Sequence, residues 1–306
     1  MAAPAETRTV APSDRSAAPR ARARALLRAC RPRQWTKNLL VLAAPCAAGV
    51  IGRAGVAGDV AGAFVVMCAA SSATYLVNDV RDVEQDRVHP VKRHRPIAAG
   101  EVSTREALVL AAALALLSVG GGAVIAPGLG AVALLYLALT LSYSIWWRGI
   151  VALDLLAIAA GFVLRPLAGG VASDIYLSRW FVLVTGFGAI FLVAAKRFSE
   201  LRDTGTSLRV RATLRRYSAR WLLALLAGAA IAAGAAYIGW VATRPSHLVW
   251  YGLSVVPFIG WLVRYAQLVA SGAGQAPEEL ILRDRLLLTL SVTWSVLFLG
   301  GVYVHH

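Results

Sequence analysis

The sequence predicts an all-α, polytopic membrane protein, and three observations carry that prediction. Apolar residues make up 58% of the 306-residue chain and charged residues only 15%, whereas a soluble globular chain lies nearer half apolar and a quarter charged. Mean hydropathy is +0.64. The apolar residues are gathered into uncharged runs such as 107–126 and 221–242, about 20 residues long, the length a helix needs to cross roughly 30 Å of hydrocarbon. Two soluble domains, the ordinary expectation for this length, are excluded.

Taken in order, residues 1–28 are mostly Ala, Arg, Pro and Ser with few bulky apolar side chains, the composition of a disordered tail. Residues 29–306 read as one transmembrane domain. Nine spans are expected, at about 38–57, 58–78, 105–126, 128–147, 150–172, 178–196, 220–243, 247–268 and 286–304. The first is the weakest, because Arg53 and several glycines interrupt it. Basic residues ahead of an apolar stretch also suit a cleavable signal peptide, but here they begin far into the chain. The run Gln34-Trp35-Thr36-Lys37-Asn38 fits an interfacial approach to a first span better.

The chain carries 31 Lys and Arg against 16 Asp and Glu, a balance that in a soluble protein would suggest nucleic acid. Cytoplasmic loops of membrane proteins carry the same excess, and the spans allow a check. Nine basic residues fall in the tail to Lys37, six in 81–105, one at Arg148, eight in 196–220 and three in 264–285. Only Arg53, Arg179 and Arg244 fall on the opposite side, and Arg165 lies within a span. The N-terminus is therefore expected in the cytoplasm and the protein in the plasma membrane, with no nucleic-acid partner. The three cysteines, Cys30, Cys46 and Cys68, lie in or beside apolar segments without metal-site or disulfide spacing and read as packing residues. The five histidines fall in loops or at the tail and receive no role.

The most informative stretch closes the second span. Asn78, Asp79, Asp82 and Asp86 are spaced so that a helix returns them to one face, while Glu84 points elsewhere. Three carboxylates on one face repel one another and call for a cation. Mg²⁺ takes hard oxygen ligands, typically one or two carboxylates together with substrate phosphates, so the cluster suggests a Mg²⁺-bridged diphosphate. A solvated helix end pairing with Arg81, Arg87 and Lys92 is the plainer alternative. Lys92, Arg93 and Arg95, between Pro90 and Pro96, suit phosphate oxygens, although basic residues are expected on this side in any case. Ser103 with Glu106 three residues on is a capping-box pattern that opens the next helix.

Asn78-Asp79-x-x-Asp82-x-x-x-Asp86 at the end of a second span resembles the first aspartate-rich motif of the UbiA-type membrane prenyltransferase superfamily. That resemblance implies a helical bundle, typically of nine spans, around a cytoplasm-facing cavity, with Mg²⁺ holding a diphosphate. The blocks 31-RPRQWTKNLLVLAAPCAAG-49, 78-NDVRDVEQDRVHPVKRHRPIAAG-100, 161-GFVLRPLAGGV-171, 195-AKRFSEL-201 and 276-APEELILRDR-285 are similar to one branch, the decaprenyl-phosphate phosphoribosyltransferases of arabinan synthesis in the cell wall. Two departures stand out. Where prenyltransferases carry a second aspartate-rich motif, residues 195–203 are basic first and acidic second. The branch also tends to Tyr followed by Lys at the fourth-span exit, where this chain has Tyr143 and Arg148.

The resemblance implies transfer of 5-phosphoribose from phosphoribosyl pyrophosphate to a polyprenyl (decaprenyl) phosphate, with pyrophosphate released. Asp79, Asp82 and Asp86 are then the catalytic and metal-binding set, and Asn78 orients the donor. Lys37, Lys92, Arg95, Arg148, Lys196 and Arg197 are the candidate phosphate binders, with Tyr143 as a substrate contact. Within the spans, Asp154 and Arg165 are eleven residues apart, ~16 Å along a helix, so they cannot pair. Asp154 is assigned to the cytoplasmic site, and Arg165 to the lipid cavity or an interhelical contact. The family also suggests a homo-oligomer, a trimer. Two rival readings are a prenyltransferase acting on an aromatic acceptor, which lacks its second acidic motif here, and a transporter, which would place polar groups near the midplane. The predicted orientation has a direct check. A cysteine introduced at position 93 should resist a membrane-impermeant maleimide added outside intact cells, and ready labelling would invert the topology.

Overall fold

The computed structural model describes residues 17–147, 151–203, 218–244, 248–272 and 277–304. Among these residues there is no strand. The helices are α1 (Ala17–Ala29), α2 (Ala43–Ala47), α3 (Val56–Arg81), α4 (Val83–Arg87), α5 (Thr104–Ile125), α6 (Pro127–Ser142), α7 (Val151–Ala172), α8 (Arg179–Asp203), α9 (Ala219–Ala242), α10 (Leu248–Ala270), α11 (Pro277–Arg283) and α12 (Arg285–Tyr303). A 3₁₀ segment, Pro32–Leu42, leads into α2, and α6 runs on through a π turn at Tyr143–Trp147.

Eight of the described helices are long and apolar enough to cross a membrane, so the protein is a multi-pass membrane protein. The span expected at 38–57 is not among them. Its chain is a 3₁₀ segment, the five-residue α2 and turns in which Gly49 and Gly55 adopt positive φ, a backbone that L-residues with side chains rarely accept. Part of the stretch expected as a disordered tail is helical. From Ala17 the chain is helical, and Ala25 and Ala29 are buried against Leu76, Ile97 and Val102.

Sequence neighbours pack on one another from α3 to α12, and α12 also touches α2. Most of the α3 and α7 spans are buried, whereas α5 and α12 are mainly exposed. Their outward Leu116, Val124 and Val292 suit lipid contact rather than water. One apolar core gathers Val66, Met67, Leu129, Tyr136 and Leu164 of α3, α6 and α7 around Val41. A second joins Phe191, Leu222, Leu262, Tyr265 and Leu287 of α8 to α12. The helix starts follow the sequence signals. Ser103 and Glu106 form the reciprocal capping box on α5. Asp284 caps α12 by accepting from the Leu287 amide at 2.9 Å.

Arg165 is only 5% exposed, and its partners are interhelical. Its Nε donates to Asn38 Oδ1 at 2.8 Å and Nη2 to Tyr136 Oη at 3.1 Å, while Nη1 reaches the Gly161 carbonyl. The guanidinium also lies over the Tyr136 and Phe162 rings, at 5.2 and 5.5 Å. Of the two assignments considered for this residue, the interhelical contact is the one observed. Asn38 passes the link to α3, donating from Nδ2 to Ser71 Oγ at 3.2 Å and to Cys68 Sγ at 3.3 Å. The 3₁₀ segment can lie this close to α7 because residue 169 is glycine: a Cβ there would sit 1.8 Å from the Val41 carbonyl oxygen.

Gly169→Ala should therefore lower the melting temperature of the purified protein by the equivalent of about 1–3 kcal/mol, the usual cost of overpacking. Gly228→Ala, where an added methyl meets nothing within 4 Å, should be neutral or slightly stabilising because alanine favours a helix. Equal effects at both sites would remove the steric argument. A second expectation concerns acid. The Arg264 guanidinium, donating to Asp284 Oδ2 at 2.7 Å, and then the Leu287 amide hold the Asp284 carboxyl below the usual carboxylate value. A depressed carboxylate stabilises the fold above its unfolded pKa of about 3.9 and loses that contribution as pH falls through the folded value. Asp284→Asn should lose less melting temperature than wild type between pH 5 and pH 3. Identical acid curves would assign the effect to other groups.

Candidate active site

The site is assembled on one face of α3. Cys68, Ser71, Ser72, Tyr75 and Asp79 recur at helical spacing, and each meets the segment that precedes the bundle. Trp35 Nε1 donates to Ser72 Oγ at 3.0 Å, and Ser72 in turn donates to the Cys30 carbonyl at 3.1 Å. Between those anchors Arg31 takes a left-handed backbone, φ 55°, which turns its side chain along α3. Its guanidinium lies over the Tyr75 ring at 5.1 Å and pairs with both oxygens of Asp79, Nε to Oδ2 at 3.3 Å and Nη2 to Oδ1.

A second arginine closes the site from the other side. Beyond α4, His89 Nδ1 accepts from the Val91 and Lys92 amides at 3.2 and 3.3 Å, folding the connection back on itself. Arg95 then adopts an extended backbone, φ −67° and ψ 141°, ahead of buried Pro96 and Ile97. Its Nη1 donates to Asp79 Oδ1 at 3.0 Å and to Asp86 Oδ2 at 2.6 Å. Asp79 and Asp86 are each 3% exposed. A buried carboxylate is costly unless paired and hydrogen-bonded, and the two arginines supply that compensation.

α3 ends at Arg81 and Asp82 is its C-cap, but the acidic stripe carries on through the turn, since Asp79 and Asp86 both accept from Arg95 Nη1. Among the described residues no group of three acidic, His or Cys side chains is gathered closely enough to hold a metal. The expected repulsion between the carboxylates is relieved by Arg31 and Arg95. Arg87, one of the partners of the plainer alternative, pairs instead with Glu84 at 2.7 Å on the exposed face. Glu84 does point away, as its spacing implied.

Asn78 is fixed from α6. Its Oδ1 accepts from Ser144, a buried residue of the π turn that Tyr143 opens, and one turn deeper Thr74 and Thr140 share a hydrogen bond at 3.1 Å. π turns of this kind are frequent at functional sites. Lys37, half-buried, precedes Asn38 on the 3₁₀ segment, and Lys92 lies on the connection carrying Arg95. Lys196 and Arg197 lie near the C-terminal end of α8, in the second core's half of the protein, and differ sharply. Lys196 is exposed, whereas Arg197 is 4% exposed and pairs with Glu200 at 2.6 Å. Arg148 and the Asp154 side chain lie outside the described residues. Arg31 and Ser144 were not anticipated. Arg31 stands in a recognisable block, but its left-handed turn has no sequence signal, and Ser144 is a lone hydroxyl at the end of an apolar run.

The opposite end of the bundle is of another kind. A cavity of about 440 Å³ opens between α2, α8, α9, α10 and α12, walled by Trp180, Phe181, Tyr237, Trp240, Trp294 and Phe298. It lies beside the turn after α7, whereas Asn78 meets the far end of α6, which precedes α7. The acidic motif with its arginines and the mainly aromatic cavity, which Arg244 also lines, thus lie at opposite ends of the bundle.

A family model described as the UbiA prenyltransferase family matches residues 40–300. The decaprenyl-phosphate phosphoribosyltransferase of Corynebacterium glutamicum is 42% identical over 91% of this chain and 87% of its own length. The enzyme of the same name from Mycolicibacterium smegmatis is 40% identical over 91% and 92%. Among solved structures, a UbiA homologue from Archaeoglobus fulgidus bound to GPP and Mg²⁺ superposes with a TM-score of 0.69 at 18% identity, covering 92% of this chain and 98% of that one. At that identity the likeness is one of fold, and it agrees with the bundle described above. The match of sequence along most of the chain goes further: this protein belongs to the UbiA prenyltransferase family.

Proposed function

We propose that this protein transfers 5-phosphoribose from phosphoribosyl pyrophosphate to decaprenyl phosphate, and that its product feeds cell-wall arabinan synthesis. The observation that carries the reading is the likeness, over nine-tenths of the chain, to curated enzymes of that name. The basic-first segment at Lys196 and Arg197 supports it over transfer of a prenyl group, which would call for a second acidic motif. The site is read as cytoplasmic and the membrane as the plasma membrane, on the distribution of Lys and Arg. The assembly is read as a homo-oligomer, a trimer, on the family resemblance.

In this reaction an oxygen of the lipid phosphate attacks C1 of the ribose while the C1–oxygen bond to pyrophosphate breaks. The nucleophile is already an anion, so no general base is required, and the protein contributes positioning and electrostatic stabilisation. Asp79, Asp82 and Asp86, with the Asn78 carbonyl oxygen, would supply oxygen donors of the kind Mg²⁺ prefers, completed by phosphate oxygens of the substrate. Held there, Mg²⁺ would supply neutralisation of the charge that develops on the pyrophosphate leaving group. Asn78, held by Ser144, orients the donor. Lys37, Lys92, Arg95, Arg148, Lys196 and Arg197 divide the donor's 5-phosphate and the lipid phosphate between them, with Tyr143 and Asp154 at the same end.

Purified protein should move label from phosphoribosyl pyrophosphate into decaprenyl phosphate when Mg²⁺ is present and lose that activity when it is chelated. Asp79→Ala and Asp82→Ala should each lose roughly a hundredfold or more, the scale of removing a key electrostatic stabiliser, while Glu84→Ala stays within a few-fold. Near-wild-type turnover in both aspartate variants would remove the metal-site assignment. Transfer from a prenyl diphosphate but not from phosphoribosyl pyrophosphate would remove the reaction itself.

A further inference from the structure

We propose that Arg31 and Arg95 close the acidic motif to free divalent metal and open it to a metal that already carries a diphosphate. The inference rests on the reading of Asp79, Asp82 and Asp86 as the metal-diphosphate site and adds an order of arrival to it. Three carboxylate oxygens of the motif are engaged by guanidinium groups. Asp79 Oδ2 accepts from Arg31, Asp79 Oδ1 from both arginines, and Asp86 Oδ2 from Arg95. The four side chains sum to zero charge, so a bare cation gains no net attraction from them and meets two positive groups at the oxygens it needs. A metal diphosphate is different, because its free oxygens offer guanidinium forks an anion to replace the one they give up.

The placement of the arginines suits such an exchange. Neither lies inside a helix. Arg31 sits in the left-handed turn between α1 and the 3₁₀ segment, and Arg95 in the extended residue that follows the Lys92–His94 turn. Their side chains are 27% and 28% exposed, while those of Asp79 and Asp86 are 4% exposed. Either guanidinium can therefore turn toward an arriving phosphate without unpacking a helix, while the carboxylates stay fixed. Arg31 also rests against Tyr75, a neutral surface along which it can slide. Both act as positioning residues: they keep the metal ligands apart from metal until the diphosphate brings it.

The test separates metal from diphosphate, using full-length protein in detergent or nanodiscs and Mn²⁺ as a paramagnetic probe. Arg31→Gln and Arg95→Gln should each bind Mn²⁺ alone more tightly than wild type, on the order of tenfold, the scale of releasing one partly solvated ion pair. The same variants should bind Mg²⁺-phosphoribosyl pyrophosphate more weakly by a similar factor. Arg31→Lys and Arg95→Lys keep the charge and should leave Mn²⁺ affinity near wild type. A merely structural arginine would lower both affinities together. Glutamine variants with unchanged or weaker Mn²⁺ binding would overturn the proposal, as would lysine variants that bind Mn²⁺ as tightly as the glutamine ones. Wild-type protein gives a check that needs no variant: Mg²⁺ with pyrophosphate should raise the melting temperature, and Mg²⁺ alone should not. Equal stabilisation by Mg²⁺ alone overturns the gate. If the gate behaves as expected but no phosphoribosyl group is transferred, the reaction is misassigned and the gate stands.

Discussion

The bundle depends on how it accommodates one positive charge within a span. An arginine buried in a transmembrane helix is tolerated only where its donors are satisfied, and Arg165 spends them on Asn38, Tyr136 and the Gly161 carbonyl. Asn38 is not on a transmembrane helix but on the 3₁₀ segment, and it also donates to Ser71 and Cys68 of α3. A single amide thus joins the 3₁₀ segment to the two most buried helices. Without that junction, a segment too irregular to form one long helix would lack its polar anchor inside the bundle. Glycine at 169 gives it the space, and Arg165 gives it the polar partner.

What the junction positions is charge. Seven residues before Asn38 the same segment delivers Arg31 to Asp79, and Trp35 pins the interval to Ser72. The stripe Cys68, Ser71, Ser72, Tyr75 and Asp79 on α3 therefore works along its whole length as a template for the incoming chain. Its polarity rises toward the membrane surface, from a thiol through hydroxyls to a carboxylate. That gradient lets a polar face exist on a buried helix: the deep groups need one or two hydrogen bonds each, and only the last needs counter-charges. Paired this way, Asp79 and Asp86 can remain buried, at the modest net stability expected of buried ion pairs. Stability is a poor explanation for such an arrangement, and readiness for an anionic ligand is a better one.

Much of this was legible in the sequence, and the residues show where legibility stops. Uncharged runs of span length, the Ser103–Glu106 capping box and the acidic stripe all depend on local periodicity or composition, which a sequence displays directly. The stretch expected as the first span is not one long helix, because 3₁₀ geometry and positive-φ turns at Gly49 and Gly55 interrupt the helical period that the apolar content seemed to promise. Residues 17–28 of the expected tail depart from it for the opposite reason. An Ala- and Arg-rich stretch looks disordered by composition, yet Ala25 and Ala29 are small enough to pack flat against α3 and α5. At the site, Asp79 and Asp86 were found from spacing, but their partners come from 48 and 9 positions away. No periodicity relates those positions; only the fold does.

The distribution of polarity from one end of the bundle to the other also bears on the choice of acceptor. An aromatic acceptor would be small and mainly planar, and the family's prenyl donor would then carry the diphosphate and the long chain together. A sugar donor reverses that division, since the charge-rich donor is wholly polar and the long chain belongs to the acceptor. The acidic motif with its two arginines lies at one end of the bundle, and the aromatic cavity of about 440 Å³ lies at the other. Basic residues stand near the C-terminal end of α8 where a second acidic motif would bind a second metal. A polar donor asks for charge at a single end, and an acceptor with a phosphate head asks for basic groups beside it. Its isoprene chain needs an apolar path away from both. One acidic cluster, one basic cluster and an aromatic chamber remote from them answer those three needs together, whereas two acidic clusters would repel the very head group that must attack.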